Sequence, residues 1–361
     1  MASVKKRENG QWRARYRDAA GREHARHFDR KVDGQRWLDE VTASVIRGDY
    51  VDPKLGKVTV AAYATRWQAV QVSSDGTRRV VDNALRVHLL PALGSYSMAS
   101  LRRSDVQGFV RALEAKGLAA GSVRNIYDVT AQVFAAAVDD RVIASSPCRK
   151  IILPKSDGGE VVPLTVEEVM AVVSKLDTRY RAVVTTLAGS GLRIGELLGL
   201  SVADVDFLRR TIRVERQRVQ SGELAAVKSK SSRRTVPVGQ VVIDELAAHL
   251  AAYPSEDALF SNQFGKPLTY TVWRRLWREA AAEAKVSGTS HSLRHFFASA
   301  LIAGGASVKQ VQIVLGHASA VITLRTYAHM WPGDDDRTRD LMDTALSPLA
   351  DSMRTEAASD R

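Results

Sequence analysis

Over the first fifty residues the apolar positions recur at every second residue and then at every third or fourth. In Gln11-Trp12-Arg13-Ala14-Arg15-Tyr16-Arg17 the alternation puts Trp12, Ala14 and Tyr16 on one face of a strand and Arg13, Arg15 and Arg17 on the other. A turn at Asp18-Ala19-Ala20-Gly21 leads into a second strand from about Arg22 to Phe28, where Arg22, His24 and Arg26 extend an alternating row. Helical spacing then takes over. Trp37, Leu38, Val41 and Val45 predict a helix from about Asp33 to Arg47 that covers the apolar face. A basic sheet face of this kind suits a DNA major groove, and it equally suits a solvated edge hairpin whose arginines discourage edge pairing.

Two stretches rich in Gly and Pro, Gly48 to Gly56 and Pro154 to Pro163, interrupt the pattern and divide the chain. Between them only helical periodicity is found. Val60, Tyr63, Ala64, Trp67 and Val70 mark one helix, and Ser122 is the expected cap of another that carries Val123, Ile126, Tyr127, Val133 and Phe134. Beyond the second break, Thr165-Val166-Glu167-Glu168 reads as a capping box. Residues 211–238 alternate like a curled antiparallel sheet with a turn at Ser221-Gly222, and helices resume near Gln240. The expected fold class is therefore multidomain, with a small N-terminal sheet plus helix, an all-α middle, and a mixed but mainly helical third part. No internal repeat or low-complexity tract is evident.

Composition narrows this further. The chain has 361 residues, 45% hydrophobic and 25% charged, which is ordinary globular composition and too long for a single core. No apolar run approaches the roughly 20 residues of a membrane span, and the N-terminus lacks the apolar core of a signal peptide, so a cytoplasmic protein with no membrane partner is expected. The single cysteine, Cys148, fits a reducing compartment and a packing role. The net charge is +12. Lys+Arg outnumber Asp+Glu by 14 to 9 in residues 1–57, by 13 to 7 in residues 58–155 and by 21 to 16 in residues 156–333, whereas residues 334–361 carry 4 against 8. Positive charge in every segment but the tail suits a polyanion touched along the whole chain. Arg78, Arg79, Arg102, Arg103 and Arg124 are candidate phosphate contacts in the helical middle, beside Arg13, Arg15, Arg17 and Arg26 of the N-terminal sheet.

The chemically informative residues are scattered through the third part. Arg193 follows a glycine pair in Gly189-Ser190-Gly191-Leu192-Arg193-Ile194-Gly195-Glu196-Leu197, where the pair is expected to break one helix and the arginine to begin the next. Then come Val227-Lys228-Ser229-Lys230, His291-Ser292-Leu293-Arg294-His295, Leu315-Gly316-His317, and Thr326-Tyr327-Ala328-His329. No metal is expected. His291 and His295 have the spacing of some zinc ligands, but no carboxylate lies between them and Arg294 does.

Taken in order, these motifs resemble the tyrosine recombinases, and the phage-integrase group in particular. That family is known by an Arg in a G-L-R-x-x-E-L context, a Lys on a β-hairpin, H-x-x-R, L-G-H, and a Tyr ten residues after the last His; here Tyr327 follows His317 by ten. The resemblance is strongest over about 160–330, looser over 58–155 and weakest over 1–50. It implies an arm-type DNA-binding domain (1–50, a three-stranded sheet plus helix), a helical core-binding domain (58–153), a catalytic domain (160–333) and an acidic tail (334–361).

The resemblance also implies roles, and the chemistry explains the residue types. A phosphodiester transition state concentrates negative charge that fixed guanidinium donors can stabilise, so Arg193 and Arg294 would clamp the scissile phosphate with His317 as a further donor. Lys228 would protonate the departing 5′ oxygen, with Lys230 the alternative lysine, and His291 would accept the tyrosine proton. Tyr327 would be the nucleophile, forming a 3′-phosphotyrosyl intermediate that needs neither metal nor ATP, and Glu196 would orient its neighbours. His295 and His329 are expected to pack or to hydrogen-bond locally. Expected partners are double-stranded DNA at core-type and arm-type sites, further copies in a tetramer on DNA, a host DNA-bending protein and an excision factor. Two other readings stand beside this one: a type IB topoisomerase-like relaxing enzyme and a non-catalytic DNA-binding regulator. The separate basic sheet disfavours the first, and the intact set of catalytic residue types disfavours the second. In the tail, Leu341, Met342, Ala345, Leu346 and Leu349 recur at helical spacing, as in a helix that docks on a neighbouring copy or back on its own chain.

Overall fold

A computed structural model describes residues 2–17, 21–47, 55–155, 160–227, 229–331 and 338–349. The chain is mainly helical with small antiparallel sheets, and it divides into two compact units, Met1–Gly158 and Gly159–Arg361.

In the first unit, strands β1 (Ser3–Lys6), β2 (Trp12–Arg17) and β3 (Glu23–Phe28) form an antiparallel sheet in that order, and helix α1 (Lys31–Arg47) packs on it. The alternation in β2 folds as its pattern requires: Ala14 and Tyr16 are buried with Leu38 of α1, while Arg17 is exposed. Gly34 lets α1 lie close to the sheet: a Cβ there would stand 3.3 Å from the Phe28 ring, which would have to give by a few tenths of an ångström. Val45 lies beyond the described side chains. The register corrects one expectation. Ala14 pairs with Arg26 and Tyr16 with His24, and directly paired residues project to the same face. Arg26 therefore lies on the face opposite Arg13, Arg15 and Arg17, with its guanidinium 5.3 Å from the Phe28 ring. The basic residues that join the arginine row are Lys5 of β1 and His27 of β3, with Glu23 on the same face.

The remainder of this unit is helical: α2 (Val60–Ala69), α3 (Asp75–Asn83) continuing through a π segment (Ala84–Leu89) into α4 (Leu90–Leu93), α5 (Arg103–Ala115) and α6 (Ala120–Asp139). Thr59 caps α2 by accepting from the Ala62 amide. Val60, Tyr63, Ala64, Trp67, Phe109, Val123, Val133 and Phe134 are buried in one core, against which half-buried Cys148 packs. Each large side chain so buried contributes roughly 1.5–3 kcal/mol. Val70 sits past the end of α2 and is 75% exposed. Ser122 does not cap α6. The helix starts two residues earlier, and the Ser122 amide already donates to the Ala119 carbonyl.

The second unit contains α7 (Val166–Lys175), α8 (Thr178–Ser190), α9 (Ile194–Leu198), β4 (Val205–Asp206), β5 (Thr211–Val214), β6 (Arg216–Arg218), β7 (Leu224–Ala226), β8 (Arg234–Pro237), α10 (Gln240–Ala252), α11 (Tyr270–Glu283), α12 (Ser292–Ala303), α13 (Val308–Leu315) and α14 (Ala320–Tyr327). Thr165 and Glu168 form the capping box of α7. β4, β5 and β8 make one antiparallel sheet, while β6 and β7 form a hairpin around Ser221-Gly222, where Gly222 takes φ 93°. Leu187, Leu192, Leu197, Ile212, Leu246 and Trp273 are fully buried at the centre of this unit. A further helix spans 338–349, with Leu341, Met342, Leu346 and Leu349 all exposed. Among the described residues no helix is long and apolar enough to cross a membrane.

Candidate active site

The site begins at the corner between α8 and α9. Of the two glycines, only Gly191 ends a helix, with φ 62° as the left-handed cap of α8. Gly189 stays helical, and a Cβ there would collide with the Val242 side chain of α10. Arg193 is the N-cap of α9, where the Glu196 carboxylate accepts from its amide at 3.0 Å and from its guanidinium at 2.8 Å. The Arg193 side chain keeps 40% of its surface open, whereas Glu196 is buried at 3%. Burial alone would push the Glu196 carboxyl up, but hydrogen bonds from Arg234, then the amide and charge of Arg193, hold it below its ordinary value.

Arg234 on β8 is the residue that sequence reasoning missed. Its guanidinium donates to both Glu196 oxygens, at 2.9 and 3.3 Å, to the Ser232 carbonyl at 3.0 Å and to the Val314 carbonyl near the end of α13 at 2.7 Å. Its side chain is only 5% exposed. The signal was available: Arg234 is in phase with the buried Val236, so the alternation of β8 already directed it inward.

Arg294 on α12 joins the next two segments. It is 2% exposed, and its guanidinium donates to the Gly191 carbonyl at 2.6 Å and to the Leu315 carbonyl at 2.7 Å. Burial, together with the charges of Arg193 and Arg234, lowers it to about 9, so it remains protonated at neutral pH. Gly316 follows Leu315 with φ 66°, and a Cβ there would stand 2.9 Å from the Ser231 carbonyl and 3.0 Å from Arg234. That close approach delivers buried His317, whose Nδ1 lies 2.9 Å from the Thr323 hydroxyl. Burial and the charge of Arg294 pull His317 down to about 4. When Nδ1 accepts from the Thr323 hydroxyl, the proton of a neutral His317 sits on Nε2, where it can donate.

Tyr327 ends α14 and is 1% exposed, packed among Phe297, Ala298, Ile302, Val311 and Leu315. Its hydroxyl lies 2.8 Å from Nδ1 of His295. Burial raises the phenol above its ordinary value, and Arg294 opposes this. His291, the expected acceptor of the tyrosine proton, meets His295 edge-on at 5.0 Å. It is exposed at the start of α12, yet desolvation, then His295, Arg294 and Arg193, draw it down to about 4. His329 contacts the Val161 carbonyl at 3.2 Å.

Three guanidiniums, Arg193, Arg234 and Arg294, thus surround the single Glu196 carboxylate, the first two by direct hydrogen bonds and the third through its charge. Such a cluster carries net positive charge in a partly dry setting and is suited to an oxyanion such as a phosphodiester. Among the described residues no group of His, Cys, Asp and Glu could hold a metal ion. Lys228 lies outside the described residues, and exposed Lys230 opens a 3-10 turn, Lys230–Ser232, that ends on buried Ser232. The predicted DNA cations are all at the surface, several with local partners: Arg13 and Arg15 meet Glu23 at 3.2 and 3.5 Å, Arg78 meets Asp75 at 3.5 Å, and Arg103 donates to the Lys150 carbonyl at 2.7 Å. Arg17, Arg79, Arg102 and Arg124 are exposed.

The profile of the Phage integrase family matches residues 163–332. The tyrosine recombinase XerC of Myxococcus xanthus is 30% identical over 256 residues, covering 65% of this chain and 80% of that protein. An integrase of Mycobacterium phage D29 is 24% identical over 339 residues, covering 89% of this chain and 90% of its own length. In fold, the chain is similar to the Tn1549 transposon integrase solved with a circular intermediate DNA, with a TM-score of 0.70 and 24% identity, covering 80% of this chain and 99% of that one. The chain belongs to the phage integrase family of tyrosine recombinases. It is a site-specific recombinase, an enzyme that breaks and rejoins DNA.

Proposed function

We propose that Tyr327 is the nucleophile of this recombinase and that Arg193, Arg294 and His317 bind the scissile phosphate of double-stranded DNA. The observation that carries this is the pair of hydrogen bonds from Arg294 to the Gly191 and Leu315 carbonyls. They pin together the corner that bears Arg193, the turn that bears His317, and the helix that bears His291. Attack by the Tyr327 oxygen, its proton passing to a histidine base, forms a 3′-phosphotyrosyl bond as the bond to the 5′ oxygen breaks, and Lys228, or Lys230 in its place, protonates that oxygen. The phosphodiester energy is kept in the tyrosyl bond, so rejoining needs no ATP, and the cationic donors supply the charge stabilisation that a metal would otherwise give. Glu196 and Arg234 hold these groups in place.

Within this reading, residues 1–50 bind arm-type DNA through the face that carries Lys5, Arg13, Arg15 and Arg17, and residues 58–153 bind core-type DNA. The pair of specificities fits integration and excision of phage or mobile-element DNA in the cytoplasm, with a host bending protein and an excision factor as further partners. Exchanging two duplexes breaks four strands, and one tyrosine per chain makes the assembly a tetramer. The exposed apolar row of helix 338–349 would then dock on a neighbouring copy. Deleting residues 338–361 should weaken synapsis of two sites more than binding to one, as read by gel shift; equal loss would place the helix elsewhere.

The chemistry is tested with a nicked suicide substrate that carries the cognate site. The unaltered chain should become covalently attached to DNA, and Tyr327→Phe should bind without attaching. An adduct that persists in Tyr327→Phe removes Tyr327 from its role.

A further inference from the structure

Tyr327 has a raised phenol, buried among apolar side chains, and at neutral pH almost none of it is phenolate. A nucleophile in that condition needs a base within hydrogen-bond reach. His291 carries that expectation through the family resemblance, but the phenolic oxygen is not on His291. It lies 2.8 Å from Nδ1 of His295, one helical turn further along α12, with the two rings inclined at 62° and their centroids 5.6 Å apart. His295 is half-buried, and burial followed by the charge of Arg294 holds its imidazole toward the neutral, proton-accepting form. Among the described residues, the charged and titratable groups that bear on this contact are Arg294 and His291 at the start of α12 and the phenol itself on α14. None of these is a carboxylate that would favour imidazolium.

We infer that His295 is the first acceptor of the Tyr327 proton, with His291 standing behind it against the His295 ring. This rests on Tyr327 being the nucleophile. In the step, the Tyr327 O–H bond breaks and its proton forms an N–H bond on Nδ1 of His295. The freed oxygen pair forms the bond to phosphorus, and the bond from phosphorus to the 5′ oxygen breaks with its electrons leaving on that oxygen, which the general-acid lysine protonates. In rejoining, the His295 imidazolium returns the proton to the tyrosine. With Arg294 and His291 as its neighbours on α12, the new positive charge has no counter-ion among them, so it is stabilised only while the negative phosphate is bound.

His295→Asn keeps an acceptor oxygen near the position of Nδ1 but has no basicity. In single-turnover cleavage of the suicide substrate it should lose about 10²–10⁴-fold in rate while retaining DNA affinity. Replacing Tyr327 by 3,5-difluorotyrosine, a far more acidic phenol, should restore much of that loss in His295→Asn. Cleavage by His295→Asn within threefold of the unaltered chain, or a loss that the acidic phenol does not repair, would overturn the assignment. A second measurement needs no variant. Ring-nitrogen NMR of the full chain should show His295 with Nε2 protonated and Nδ1 as an unprotonated acceptor, and a proton on Nδ1 would also overturn it. Tyr327→Phe distinguishes the two failures: an adduct in that variant defeats the nucleophile itself, whereas its absence beside a fast His295→Asn defeats only the base.

Discussion

The arginines of the N-terminal sheet and those around Tyr327 are the same residue type under opposite conditions. Arg13, Arg15 and Arg17 stand in a row set by strand alternation, partly or fully in water, and the carboxylate that Arg13 and Arg15 meet is an accessible Glu23. Arg234 and Arg294 are buried and spend their donors on carbonyls and on Glu196. A solvated cation binds a polyanion by releasing counterions and tolerates imprecise placement. A cation that must stabilise a transition state has to be fixed before the substrate arrives, and burial with several hydrogen bonds does the fixing.

The largest effect that would break this contrast is at Arg294. Arg294→Lys keeps the charge but cannot span the Gly191 and Leu315 carbonyls, and cleavage of the suicide substrate should fall at least about 10³-fold, near the loss for Arg294→Ala. Near-normal cleavage by the lysine variant would mean that charge alone matters there. Next is the pair beneath it. Arg234→Met leaves Glu196 buried with Arg193 as its remaining hydrogen-bonded cation and should cost about 3 kcal/mol in urea denaturation, whereas Arg234→Met combined with Glu196→Leu should cost less than the single changes added together. Because Glu196 is held below its ordinary value of 4.5, its contribution is fully present above that pH and is lost as pH falls below it. Arg234→Met should therefore show a weaker acid dependence than the unaltered chain between about pH 5 and 3. The smallest effects on stability belong to the sheet. Arg15→Ala should change it by no more than about 0.5 kcal/mol, yet weaken arm-site binding and reduce the salt slope by roughly 0.9 for each phosphate that is no longer neutralised. Arg26→Ala, on the opposite face, should leave that slope unchanged; equal reductions would mean that DNA reaches both faces.

Period and spacing already contained most of the elements. The strand of Trp12, Ala14 and Tyr16, the Thr165 capping box, the hairpin turn at Ser221-Gly222 and the helix from Gln240 all follow from local pattern, because each depends on neighbours within a few residues. The face of Arg26 does not. It depends on the parity of the β2 to β3 register, which no alternation within one strand can reveal. Ser122 shows the opposite limit: a good capping residue was passed over because the helix begins at Ala120, two residues before it.

At the site, the sequence alone determined which residue types were present and in what order: two arginines, paired histidines, a Leu-Gly-His turn and a tyrosine ten residues on. Only the folded chain decided that Arg234 joins them, that Glu196 serves two arginines at once, and that the phenol of Tyr327 rests on His295 rather than His291. The reason is physical. Hydrogen bonds that span 38, 21 and 32 residues of chain are chosen by how helices and strands pack, and packing is fixed by the whole apolar core rather than by any motif.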